Sequence, residues 1–258
     1  MYSIRSRRWV LVLGLVGFGL VPCSGQALTQ CGNTTPPLTL TDDYECLGGQ
    51  HCFVLPAGQS VNLSGHKITC PASLICASAV SGNGGNSTVQ NGTIEGLFYT
   101  GAVTNVLLAK NLRIKGGEDG LGFPNKALSG VRRAEGNVIT GFHDTAIEAA
   151  FTSYADYVKN NFIEGRPGQP IIDPLYGIHV TSTATTGSPD ITLNYVRGTT
   201  VTGIFAESGK MDLKGNMVDD IFSGNAWIFT GTGAITDNLC SDVSCAIPST
   251  PFSYPDAR

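Results

Sequence analysis

Asparagine recurs along this chain at a loose interval, and in most cases an aliphatic residue and then a glycine follow within a few positions. The recurring residues are Asn91, Asn111, Asn137, Asn161, Asn194, Asn216 and Asn238. Their spacing of 20 to 33 residues predicts stacked supersecondary units rather than one closed globule. Asparagine enters a left-handed turn at low cost and can hydrogen-bond its neighbours there. One asparagine per repeat therefore predicts one turn per stacked coil.

Each repeat also carries a second anchor, in most coils nine residues after its asparagine. These anchors begin at Gly120, Ala146, Gly177, Gly203 and Asn225. A third strand-like segment precedes the asparagine, as at 105–108, 190–193 and 234–236. Apolar residues alternate or run in short blocks, so no helix is expected. Three short strands per coil of about 22 residues predict an all-β parallel β-helix of about seven or eight coils, with three short parallel sheets.

The first 27 residues have the pattern of a secretory signal peptide, with a basic start, an apolar stretch at 9–21 and a small-residue end at Ala27. The apolar stretch is too short to span a bilayer as a helix. We therefore expect a secreted or periplasmic protein without a transmembrane anchor. Acylation at Cys23 is disfavoured because Leu-Val-Pro, directly before it, lacks the usual small residue.

Three regions follow the predicted signal peptide. They are a cysteine-bearing lead-in at 28–60, the β-helix repeats at 61–239, and a tail at 240–258 that we expect to cover the last coil. The formal net charge is −4 and only 14% of residues are charged. Because there is no basic patch, we expect no nucleic-acid partner.

The chain has eight cysteines, which in an exported protein indicate disulfide bonds. The pairs Cys70–Cys76 and Cys240–Cys245 would close short local loops. Cys31 is expected to join Cys46 or Cys52, which leaves one thiol over. No Cys/His spacing indicates zinc. Asp119 and Asp144 fall in neighbouring coils at unequal offsets, as turn residues rather than calcium ligands do. We expect no metal and no cofactor.

The segments 61–69 and 89–96, followed by the Asn and Gly-Ile coils, resemble secreted right-handed parallel β-helix proteins of the pectate-lyase-like superfamily. The resemblance covers roughly residues 38–240 and implies a right-handed coil that binds polysaccharide in a groove on one sheet face. This superfamily contains lyases, hydrolases, epimerases and non-catalytic proteins. The polygalacturonase-like motifs Arg113-Ile-Lys and Asp219-Asp occur in reversed order, and Gly-His-Gly and Asn-Thr-Asp are missing. No catalytic role is carried over from them.

Residues at the same offset in successive coils form columns about 4.8 Å apart. The first predicted column is Glu95, Lys115, Thr140, Glu164, Arg197 and Asp219. As a solvated face it would hold surface ion pairs, each contributing about 0–1 kcal/mol. As a binding strip it would contact sugar hydroxyls or uronates, with Arg197 as the carboxylate clamp.

The second predicted column is Gly122, Glu148, His179, Phe205 and Trp227. Outward-facing Phe205 and Trp227 would stack on sugar rings, because bare solvated surfaces seldom carry such side chains. Glu148, His179 and Glu207 are the candidate catalytic residues, as an acid and base pair or with His179 as the base of a lyase. The alternative is that the aromatic side chains are covered by an insertion at 166–175 or by the tail.

Two classes of function remain open. The first is a carbohydrate-active lyase or hydrolase that acts on an extracellular polysaccharide. The second is a non-catalytic β-helix for adhesion, surface structure or glycan binding. We expect a carbohydrate-associated protein, and the sequence does not decide whether it is an enzyme.

Overall fold

The computed structural model describes residues 28–83, 86–123, 130–165, 174–184, 186–222 and 224–241. Over these residues the chain folds into 24 short β-strands and no helix. All strand pairings between them are parallel. The predicted all-β parallel solenoid is confirmed.

The strands are short, with most of them three residues long. The first twelve are β1 (Thr29–Cys31), β2 (Tyr44–Cys46), β3 (His51–Leu55), β4 (Ser60–Asn62), β5 (Lys67–Thr69), β6 (Ser78–Gly82), β7 (Thr88–Glu95), β8 (Val103–Thr104), β9 (Leu108–Lys115), β10 (Leu121–Phe123), β11 (Arg133–Glu135) and β12 (Val138–Thr140). The others are β13 (Thr145–Phe151), β14 (Tyr157–Lys159), β15 (Phe162–Glu164), β16 (Tyr176–Ser182), β17 (Asp190–Thr192), β18 (Tyr195–Arg197), β19 (Thr202–Glu207), β20 (Asp212–Lys214), β21 (Met217–Asp219), β22 (Asn225–Phe229), β23 (Ile235–Thr236) and β24 (Leu239–Cys240).

Three ladders of strands make up two sheets. The smaller sheet has eight strands in the order β22-β19-β16-β13-β10-β8-β6-β3, one for each coil. The larger, 16-stranded sheet contains the other two ladders, one running from β9 through β11 to β23 and one from β9 through β12 to β24. The ladders join because the long strands β7 and β9 belong to both. Three ladders were predicted as three separate sheets, and two of them are continuous.

A buried row of asparagines stabilises the corner between the two ladders of the larger sheet. Asn137, Asn161, Asn194 and Asn216 are each at most 2% exposed. In each, the side-chain amide donates to Oδ1 of the asparagine one coil further on, at 2.8–3.0 Å, and the backbone N–H donates to the same oxygen. The same side-chain amide also donates a hydrogen bond to a backbone carbonyl of the preceding coil. These buried polar groups are therefore well paired, as burial requires.

The row begins at Asn137, which corrects the predicted register. Asn91 and Asn111 stand one position earlier in their coils, with φ of 61° and 53°. The buried position of the Asn111 coil is occupied by Leu112, whose N–H donates to Asn137 Oδ1. From Asn137 onward the left-handed residue is the one before the asparagine, as in Asn160 (φ 56°). The later asparagines therefore hold the corner by hydrogen bonding, while their predecessors make the turn.

Inward aliphatic side chains fill the coil, as expected. Ile147, Ile178 and Ile204 are paired in register on β13, β16 and β19, and all three are fully buried. Each contributes about 1.5–3 kcal/mol of hydrophobic stabilisation relative to an exposed side chain.

Disulfide bonds stabilise the N-terminal coils. Cys31 bonds Cys52, one of the two predicted alternatives, and the predicted Cys70–Cys76 bond is present. Cys46 is the remaining buried free thiol, and burial raises its pKa to about 12. Its sulfur lies within 4.8 Å of the Cys31 and Cys52 sulfurs. Cys240 is also disulfide-bonded, and its predicted partner Cys245 lies outside the described residues.

A buried ion pair, which the sequence did not indicate, closes the turn between β13 and β14. Arg132 and Asp156 are each 1% exposed, and Arg132 Nη1 is 3.9 Å from Asp156 Oδ2. Asp156 also accepts the backbone N–H groups of Arg132, Thr152 and Ser153 at 2.7–2.9 Å. Burial lowers the pKa of the Arg132 guanidinium, while Asp156 opposes that shift.

Several predictions concern residues that the structure does not describe. The signal peptide at 1–27, with Cys23, lies outside the described residues, as do most of the insertion at 166–175 and of the tail at 240–258. Within the described residues, no helix is long and apolar enough to cross a bilayer.

Candidate functional site

The charged column has the predicted register on the larger sheet. Glu95 pairs with Lys115 and Thr140 with Glu164, and Arg197 lies between Glu164 and Asp219. Lys115 Nζ is 2.8 Å from Glu95 Oε1. Both groups are partly exposed, so this pair adds little stability. The column is a row of ion pairs on a solvated face.

Arg197 is already engaged within this column. Its guanidinium donates to Glu164 Oε1 and lies over the Phe162 ring, 5.7 Å from the centroid. The hydrogen bond from Arg197 to Glu164 raises the arginine pKa. Arg197 belongs to β18 of the larger sheet, whereas the other predicted site residues lie on the smaller sheet. The structure does not place it in one strand ladder with them.

A second outward row on this face is apolar and was not identified from the sequence. It consists of Val138, Phe162, Tyr195, Met217 and Leu239, paired strand to strand. The Phe162 and Tyr195 ring centroids are 5.4 Å apart. Met217 and Leu239 are 41% and 66% exposed. The alternation of these residues with the buried Ile163, Val196 and Val218 was the signal available in the sequence.

On the smaller sheet, four members of the predicted aromatic and acidic column are in register. Gly122 pairs with Glu148, Glu148 with His179, and His179 with Phe205. The structure brings Glu148, His179 and Phe205 together on the outer face of β13, β16 and β19. All three side chains are partly exposed.

Trp227 is not part of that column, which corrects its predicted position. It pairs with the inward Ile204 and is 3% exposed, and Ile228 pairs with Phe205 in its place. The last coil has one more residue between Asn216 and β22 than the preceding coil has between Asn194 and β19. Because a one-residue shift in a strand exchanges its two faces, Trp227 turns into the core and is not placed for stacking on a sugar.

Three aromatic rings form a contiguous cluster at the centre of the column. The His179 and Phe205 rings are stacked, with centroids 4.9 Å apart and planes 8° apart. Tyr176 lies beside both, 5.4 Å from His179 and 5.8 Å from Phe205. Tyr176 was missed in the sequence. Its position directly before the Gly177 anchor, three residues ahead of His179, was the available signal.

Glu207 completes one side of this cluster. Its Oε2 is 3.4 Å from His179 Nε2, and its side chain is 48% exposed. Glu148 and Glu207 are two strands and two residues apart, which corresponds to about 12 Å between their Cα atoms. The carboxylate of Glu207 leans back toward β16, and so toward Glu148.

Acidic side chains bound the opposite side of the cluster. Asp119 Oδ1 accepts the backbone N–H of Thr145 at 3.2 Å. Burial, followed by the charges of Asp144 and Glu148, raises the pKa of Asp119 to about 7. Among the described residues, the one group of three or more side chains spaced to hold a metal ion is Cys31, Cys46 and Cys52, two of which form a disulfide bond.

The exposed part of the column spans three coils. On the N-terminal side Ser81, Thr104 and Gly122 are buried, and Thr104 donates to Ser81 Oγ at 3.3 Å. On the C-terminal side Ile228 is 3% exposed. Glu148, His179 and Phe205 are thus the accessible members of the column, and they extend over three coils, about 10 Å from the first to the third.

Comparison with known proteins gives no match: no family model, no curated protein and no solved structure matches this chain.

Proposed function

We propose that this protein is an exported, pectate-lyase-like β-helix that binds a polysaccharide on the outer face of its smaller sheet. The site consists of Tyr176, His179 and Phe205, with Glu148 and Glu207 at its edges. The observation that supports it best is the stack of His179 on Phe205, next to Tyr176, on a partly exposed face.

Flat rings beside carboxylates suit a sugar. The apolar face of a pyranose packs on an aromatic ring, while its hydroxyls donate hydrogen bonds to acceptors at the rim. Glu207 and Glu148 provide acceptors on opposite sides of the rings. The stacked histidine also holds Phe205 in one orientation, which lowers the entropy lost on binding.

The sequence resemblance to pectate-lyase-like proteins agrees with this proposal, as does the parallel β-helix fold. Fold alone does not define an activity, so the proposal depends on the cluster. Export is consistent with two disulfide bonds in the N-terminal coils.

The test is a binding assay over a panel of oligosaccharides, with the Phe205→Ala variant. We expect a loss of about 1–3 kcal/mol, comparable with losing one base-stacking ring from a nucleic-acid site. Tyr99→Ala removes a more exposed aromatic side chain from another coil and serves as the control. Equal affinity of the two variants, or no binding to any oligosaccharide, would contradict the proposal.

Hydrolysis is a second candidate, favoured by one observation. A carboxyl group with a pKa of about 7, at Asp119, lies near Glu148, and such a pair can divide the roles of acid and base. Glu148, His179 and Glu207 remain the predicted catalytic residues, with Asp119 added. If the protein turns over a glycan, Asp119→Asn should lower kcat by about 10²–10⁴-fold, and the exposed Glu118→Gln should not. If neither reducing ends nor unsaturated products are formed, the hydrolysis candidate is rejected and only the proposal of glycan binding remains.

A further inference from the structure

Basic residues are distributed unequally between the two sheets. The strands of the larger sheet carry all eight lysines and arginines found in the described strands: Lys67, Lys110, Arg113, Lys115, Arg133, Lys159, Arg197 and Lys214. The eight strands of the smaller sheet carry none. Their acidic residues are Glu148 and Glu207, and both lie at the aromatic cluster.

Further acidic groups lie next to this cluster. Asp144 directly precedes β13, and Asp119, which precedes β10, is mostly protonated below its pKa of about 7. Within the cluster, His179 Nε2 is 3.4 Å from Glu207 Oε2. The carboxylates of Glu148 and Glu207, on strands without lysine or arginine, favour a negative potential at the rings.

We infer that the ligand of the aromatic cluster is a glycan of amino sugars carrying protonated amines, rather than a polymer of uronic acids. This inference rests on the proposed function and specifies its ligand class. The rings supply the stacking surface, and Glu148 and Glu207 receive ammonium groups from sugars on either side of it.

Uronates are disfavoured by the same geometry. A carboxylate on the stacked sugar would meet the like charges of Glu148 and Glu207 and would find no arginine or lysine on these strands. The one arginine predicted as a uronate clamp, Arg197, is on the other sheet and engages Glu164. An uncharged glycan would stack on the rings but would bring no positive charge to either carboxylate.

The ligand class can be tested with four probes. They are added to the protein without its predicted signal peptide, in a weakly acidic buffer. They are a glucosamine tetramer, its N-acetylated form, a galacturonate tetramer and a lysine tetramer, measured by calorimetry at two salt concentrations. We expect the glucosamine tetramer to bind about tenfold more tightly than the acetylated form, because each exposed ion pair adds up to about fivefold. The preference should decrease at high salt.

The Glu207→Gln variant should reduce this preference by about fivefold, with a smaller loss of affinity for the acetylated form because the glutamine carbonyl still accepts a hydrogen bond. Glu95→Gln, which removes a carboxylate from the larger sheet, is the matched control and should leave the preference unchanged.

Four results would overturn the inference. Equal or tighter binding of the acetylated tetramer, with a loss in Phe205→Ala, would reject the charge argument and retain the proposed glycan site. Tighter binding of the galacturonate tetramer than of the glucosamine tetramer would also reject the charge argument and retain the proposed glycan site. Tighter binding of the lysine tetramer, with no effect of Phe205→Ala, would indicate a cation-binding surface without sugar recognition. No binding of any saccharide would reject the proposed function as well.

Discussion

The side-chain amide of Asn161 donates to Oδ1 of Asn194 at 2.9 Å, and the backbone N–H of Asn161 donates to the same oxygen at 3.0 Å. One buried oxygen thus satisfies two donors, and Asn194 passes the pattern on to Asn216. The corner of each later coil depends on its successor for hydrogen bonding.

Replacing Asn194 with leucine should therefore destabilise the protein strongly. Leu112 occupies the equivalent position of an earlier coil, so space is not the obstacle. The variant leaves two donors of Asn161 and the carbonyl of Val158 unpaired, each at about 1–3 kcal/mol. We expect a loss of about 3–5 kcal/mol in urea unfolding. The control is Asn111→Gly, at an exposed left-handed residue, where a change above about 1 kcal/mol would contradict this assignment.

We expect a second large loss of stability when the buried pair of Arg132 and Asp156 is broken. In Asp156→Ala, the guanidinium loses its buried counter-ion and three backbone N–H groups lose their acceptor. The expected destabilisation is about 3–5 kcal/mol by thermal and urea unfolding. Lys115→Ala breaks a partly exposed ion pair and should change stability by less than about 1 kcal/mol. Similar losses in the two variants would show that Asp156 is not a buried anchor.

Asp119 predicts a defined pH dependence of stability. Its folded-state pKa, raised to about 7 from 3.8, means that the folded protein retains a proton that the unfolded chain releases. Stability should therefore decrease as the pH rises between about 4 and 7, and stay level above that range. Asp119→Asn should remove this decrease and stabilise the protein at pH 8, by a few kcal/mol at most. The measurement is the free energy of unfolding of the parent protein and of the variant, between about pH 4 and pH 8. Asp42→Asn, at an exposed carboxyl, should keep the wild-type profile.

We predict that the fluorescence of Trp227 does not respond to ligand. It is the only tryptophan after the predicted signal peptide, and it is 3% exposed in the inward register. Its emission should be blue-shifted, resist acrylamide quenching and stay unchanged with saturating oligosaccharide. A Phe205→Trp variant should give a second, quenchable signal that responds to ligand. A response from the Trp227 emission in the parent protein would place it outside the core.

The coil could be predicted from the sequence because each coil repeats the same local chemistry. Turn residues and alternating aliphatic side chains recur at a period that few folds share. The columns were predictable where the second anchor keeps the same place in its strand, as from Glu148 to Phe205, even though the coils there differ in length. They failed where a coil is one residue longer, at Trp227, because alternation converts a single inserted residue into an inverted face.

Other features lay beyond sequence reasoning for a different reason. The contacts of Tyr176 with His179 and Phe205 depend on side-chain directions after the strands are paired. The joining of two ladders depends on β7 and β9 running straight through the corner, where Gly92 and Leu112 replace the buried asparagine. Counting asparagines could not separate those coils from the later ones, since Asn91 and Asn111 occur one position away.

The asparagine row also bears on how such a chain can change in length. Residues 195–216 form one complete coil from the residue after Asn194 to Asn216, and Tyr195 pairs in register with Met217. Excising or duplicating that segment would rejoin the chain in phase, with the amide row unbroken. The solenoid is therefore built to gain or lose whole coils, whereas a change of one residue in the segment before a strand would exchange the inside and the outside of that strand.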